Sequence, residues 1–118
     1  MAETTQQWKI GDVTITKVVE HTQTQDLSWL LPAAKPEAVR EIAWLRPHFA
    51  DDAGLAKLSI HALLVESQGR RILVDTCIGN DKSLPGMDFW SGRQSAFLSE
   101  LADAGAGPDA VDTVLCTH

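Results

Sequence analysis

Two short apolar runs, separated by one amphipathic stretch, constrain this chain more than any other feature. Ile72-Leu-Val74 is continuously apolar, as a strand covered on both faces would be. Val111-Asp-Thr-Val-Leu-Cys-Thr-His118 is rich in β-branched residues and leucine, which suits a strand buried in a sheet. Between them Phe97, Leu98, Leu101 and Ala102 form one helical stripe. Ser91 and Gln94 have the spacing of a capping box, and Gly105 suits the position just after a helix. Strand, helix, strand predicts a βαβ unit with parallel strands and a right-handed crossover.

The preceding sequence extends that unit. Leu58–Glu66 and Arg71–Asp75 read as strands, and Gln68-Gly69 reads as the tight turn of a hairpin between them. Trp8–Ile10 and Val13–Val19 form a strand pair around Gly11-Asp12, and Thr22–Ser28 reads as polar loop. Pro36 opens a helix that Pro47 ends at about Arg46. The segment from Gly79 to Phe89 is a long loop, of the kind that often carries function. The expected fold class is α/β (α+β), a mixed sheet with packed helices, in a single domain over residues 1–118.

Composition removes several function classes. A net charge of −6 argues against a nucleic-acid footprint, which would need a basic patch. No run of apolar residues is long enough to span a membrane, and Met1–Gln7 is unlike a secretory leader. Cys77 and Cys116 are too few for a disulfide framework, so both are expected as buried free thiols and the location as cytoplasmic. Neither has Lys or Arg beside it in sequence, which ranks a redox sensor low.

In parallel sheets, sites form at the carboxyl ends of strands. Asp75 ends the first strand of the βαβ unit and His118 follows the second, so one rim receives a carboxylate and an imidazole. His61 shares a strand face with Leu63 and Val65 and reads as a partly buried histidine, with a pocket role as the alternative. Phe89 and Trp90 follow the long loop and either line a pocket or staple the helix. His21 and His48 read as surface residues.

Leu58–Ala62, Ile72-Leu-Val-Asp-Thr-Cys-Ile-Gly-Asn-Asp81 and Asp112–His118 together resemble the N-terminal part of a metallo-β-lactamase-fold hydrolase. The branch they resemble includes methyl parathion hydrolase-like and lactonase-like enzymes. In that family the corresponding strand ends in T-H-x-H-x-D-H, and this chain has only its Thr117 and His118. The resemblance implies a piece truncated inside its metal motif, the first half of an αββα sandwich. It implies His118 as a metal ligand and Asp75 and Thr117 as outer-shell or structural residues, with no catalytic residue in the piece itself. The implied parent uses zinc, one ion or two, to activate hydroxide against an ester, lactone or phosphotriester. The piece alone is expected to be inactive, to hold no zinc stably, and to form a homo-oligomer or associate with the remaining polypeptide. Its partner in the parent would be a small-molecule substrate. The alternative is a non-catalytic α/β protein-interaction module.

Overall fold

The computed structural model describes residues 5–118. Five strands form one mixed sheet in the order β1-β2-β3-β4-β5. They are β1 (Gln6–Ile10), β2 (Val13–Gln25), β3 (Ala56–Ser67), β4 (Arg70–Val74) and β5 (Thr113–Leu115). Two α-helices, α1 (Pro36–Arg40) and α2 (Phe97–Asp103), and three 3-10 turns complete the described elements. No described helix is long and apolar enough to cross a membrane.

The backbone divides into two compact units, one of residues up to Glu20 with Ile60–His118, the other of His21–Ser59. In the first, β1 and β2 pair antiparallel with Trp8 opposite Ile15. Strands β3 and β4 also pair antiparallel, with Leu64 opposite Leu73. Gln68 and Gly69 both take positive φ, 51° and 76°, which matches the right-handed strand twist in a two-residue hairpin turn. Strand β5 lies parallel to β4, with Leu73 opposite Val114, as the βαβ pattern requires. Asp112 extends this pairing: its N–H donates to the Arg71 carbonyl at 2.9 Å, and its Oδ2 accepts the Arg71 N–H at 2.7 Å.

One core forms where α2 meets the sheet. Val18, Ala62, Leu64, Leu73, Phe97, Leu101 and Ala106 are buried together, with Cys77, Ala104 and Val111 packed against them. In β3 the alternation places Ala62 and Leu64 inward and leaves His61 and Leu63 half-buried on the other face.

The second unit holds α1, the 3-10 turn Ala43–Leu45 and the isolated bridge between Ala50 and Ala56. Asp51 Oδ1 accepts the N–H groups of Ala53 and Leu55, at 3.0 and 2.8 Å, and so closes an Asx turn. A Cβ at Gly54 would sit 2.2 Å from the Pro36 carbonyl oxygen, so only glycine fits there.

Several sequence expectations give way to the structure. Thr22–Gln25 is the end of β2 rather than loop: burial alternates there, and threonine suits a strand whatever its polarity. The first helix stops at Arg40 instead of about Arg46. It buries no residue, and without a packed face so short a helix has little to extend it. Ser91 caps no helix. Its Oγ accepts the Leu84 N–H at 2.8 Å, and α2 starts only at Phe97. Within α2 the buried pair is Phe97 and Leu101, while Leu98 is exposed. The closing strand ends at Leu115, short of the expected Thr117, and β5 is an exposed edge strand, not a buried one. Cys116 is accordingly exposed, not in the core.

Candidate functional site

The rim at the carboxyl ends of β4 and β5 brings together three of the residues singled out from the sequence. Asp75, just past β4, takes a left-handed backbone (φ 65°), and its N–H donates to the Leu115 carbonyl at 2.7 Å. That fixes its carboxylate beside the end of β5. Asp75 Oδ1 accepts the Thr117 N–H at 2.8 Å, and Oδ2 accepts the Thr117 hydroxyl at 2.7 Å. Thr117 Oγ1 lies 2.8 Å from His118 Nδ1.

Donor counting sets the direction of this chain of bonds. The hydrogen bond from the Thr117 N–H, then the one from its hydroxyl, hold the Asp75 carboxyl below the usual carboxylate range. Partial burial opposes them, and the charges of His118 and His61 add to the lowering. An ionised carboxylate can only accept. Thr117 therefore gives its single hydroxyl proton to Asp75 and accepts from His118 Nδ1–H. In the neutral ring that tautomer leaves the lone pair on Nε2 of an exposed imidazole.

His61 is half-buried on β3, and its charge is felt at Asp75. Phe89 and Trp90 occupy the 3-10 turn Asp88–Trp90 and meet edge to face at 5.0 Å. They lie outside α2 and staple no helix start. His48 is exposed, and His21 is half-buried, with Nε2 3.1 Å from Gln23 Oε1. Cys77 is half-buried against the core, and its thiol is pushed up to about 12, chiefly by burial and then by the negative charges of Glu20 and Asp75. So high a value argues against a redox role.

Sequence reading missed Glu20. Its side chain is fully buried (0% exposed) and its two oxygens accept the N–H groups of Ile78 and Gly79, at 3.1 and 2.9 Å. Arg93 Nε lies 3.9 Å away. The overlooked signal was parity: Glu20 falls in step with the buried Thr16 and Val18 of β2, where a charge is out of place unless it is held.

A catalytic zinc centre needs about three protein ligands and an open position. Among the described residues no three His, Cys, Asp or Glu side chains are grouped to hold a metal ion. His118 suits one ligand position, but the described donor set does not fit a complete centre.

No protein-family model matches the sequence, and no curated protein matches it. Solved structures do match its fold. AidC, a dizinc quorum-quenching lactonase in complex with a product, aligns over 97% of this chain and 35% of its own, at 20% identity and a TM-score of 0.65. The hydrolase AbOPH of the beta-lactamase superfamily aligns over 100% and 37%, at 21% identity and a TM-score of 0.61. A probable metal-dependent hydrolase from Staphylococcus aureus aligns over 94% and 39%, at 24% identity and a TM-score of 0.65. The chain thus spans between 35% and 39% of the length of these proteins. Over that length, its five-stranded mixed sheet with packed helices has the metallo-β-lactamase fold.

Proposed function

We propose that this chain is the N-terminal part of a zinc-dependent hydrolase of esters, lactones or phosphotriesters, and is inactive by itself. The observation that carries the reading is the Asp75–Thr117–His118 relay at the strand-end rim. It does what an outer shell does for a metal-binding imidazole: it fixes ring orientation and tautomer and presents Nε2 as the free donor. The structural neighbours, a dizinc lactonase and a probable metal-dependent hydrolase, support metal and hydrolysis for the parent. His61 is proposed to face the same rim from β3, with Phe89 and Trp90 as candidate pocket residues.

In this reading residues 1–118 are one fragment of a cytoplasmic protein whose partner is a small-molecule substrate. Val114 and Leu115, each about half exposed (51% and 52%) on the edge strand β5, support association with the remaining polypeptide or with another copy.

Zinc titration by calorimetry tests the proposal, comparing the 118-residue chain with a version extended through the rest of its gene. If four ligands share about 10–16 kcal/mol equally, one histidine supplies roughly 2.5–4 kcal/mol, a dissociation constant on the order of 1–10 millimolar. The short chain is expected to bind no tighter, and the extended one to bind stoichiometrically and turn over a lactone or phosphotriester. Micromolar zinc binding by the short chain, or none by the extended one, overturns the reading.

A further inference from the structure

We infer that Glu20 is a positioning residue: its buried carboxylate holds the turn after β4 in the one conformation that aims Asp75 at Thr117 and His118. The inference deepens the proposed function and rests on the relay having a role there.

Four residues of this turn have left-handed backbones at alternate positions: Asp75 (φ 65°), Cys77 (φ 63°), Gly79 (φ 89°) and Asp81 (φ 56°). Three of the four carry side chains, so the conformation costs free energy and must be imposed from outside. Such alternation turns successive N–H groups toward one concave side, a nest that binds an anion. Here the anion is a carboxylate of the chain itself. Glu20 reaches from β2 and takes the N–H of Ile78 and of Gly79, one on each oxygen. The fit needs a carboxylate, because an amide would offer one acceptor and turn an NH2 group against the other N–H. Arg93 closes the far side, its side chain 17% exposed, and among the described residues its Nε has no hydrogen-bond partner. It serves Glu20 as a charge.

The consequence reaches the rim through covalent geometry. Asp75 begins the same run of alternating φ values that Gly79 continues. Releasing Ile78 and Gly79 frees the turn to relax, and the first residue to gain from a β-region φ is Asp75. Its carboxylate would then leave Thr117, and the Thr117 hydroxyl proton would be free to turn toward His118.

The test uses the full 118-residue chain, nitrogen-15 labelled, and reads the Thr117 amide proton and the two ring nitrogens of His118 by NMR. The unmodified chain is expected to show a downfield Thr117 amide and a His118 ring protonated at Nδ1. Glu20→Gln is expected to move the Thr117 amide upfield and to shift His118 toward a mixture of tautomers, with the Leu64 and Leu73 amides in place. Gly79→Ala disturbs the nest from the other side, its Cβ meeting only the flexible end of the Lys82 side chain at 3.0 Å. It is expected to move the same signals, and it decides the matter should Glu20→Gln not fold. If the variants that fold move Ile78 and Gly79 while Thr117 and His118 stay put, Glu20 is a structural anchor only and the inference fails. Asp75→Asn separates the two claims: if it leaves the His118 nitrogens unchanged, the relay itself is wrong.

Discussion

Cys77 should be a slow thiol, and the structure sets how slow. Burial against the core, with Glu20 and Asp75 adding negative charge nearby, raises its pKa to about 12. An ordinary cysteine titrates at about 8.5. The difference leaves about 3,000-fold less thiolate at pH 7. A more basic thiolate is the better nucleophile, and a Brønsted slope of about 0.4–0.5 returns about 25–55-fold. Reaction with an aromatic disulfide should therefore run about 50–130-fold slower than for the same chain unfolded in urea, before any steric hindrance. The exposed Cys116 must first be removed as Cys116→Ser, so that chromophore release reports Cys77 alone. The rate should also climb about tenfold per pH unit through pH 10, where an ordinary thiol has levelled off. A native rate within tenfold of the unfolded one, or a plateau near pH 8.5, would refute the assignment of burial as the cause.

The same raised value predicts that stability is full below about pH 8.5 and falls as pH rises toward about 12, because the folded chain keeps the Cys77 proton longer than the unfolded one. Urea melts at pH 7 and pH 10, with Cys77→Ala as control, measure it. Leu101→Ala empties a site that is 1% exposed beneath the sheet, and should cost about 2–5 kcal/mol in the same melts. The Asp75 carboxyl is lowered, so its hold on Thr117 should be complete above about pH 4 and vanish as pH falls through its depressed folded value. Titration of the Thr117 amide shift checks this, and a midpoint at or above the ordinary aspartate value would contradict it.

The fold was legible where side-chain period and turn chemistry agreed. Leu58–Glu66, Gln68-Gly69 and Arg71–Asp75 announced a hairpin, and the parallel return of β5 followed from the helix between. The shared rim of Asp75 and His118 followed from the same topology, whereas Thr117, which joins them, came only from the family resemblance. Illegible features depended on what a side chain finds at long range. Ser91 had the spacing of a cap, but its hydroxyl is engaged by Leu84 and Met87 inside the loop. Glu20 is buried only because the turn after β4 supplies two N–H groups 58 and 59 residues later. Val114 to Cys116 had the composition of a buried strand, yet composition does not say whether anything covers it.

The β3–β4 hairpin and the β4–β5 pair differ in how far the chain must travel to close them, and this orders their formation. The hairpin closes across two residues, whereas Asp75 and Thr117 meet across a separation of 42. Closing the longer loop costs more chain entropy, and its three-residue ladder returns less. We therefore expect a polarised folding transition state with β3 and β4 joined and the relay unformed. Conservative substitutions in Leu64 and Leu73 should slow refolding, while Leu115→Ala should act almost entirely on the unfolding rate. In native-state hydrogen exchange the Thr117 amide should open well before that of Leu73. Equal protection at the two positions would show that the rim belongs to the same cooperative unit as the hairpin.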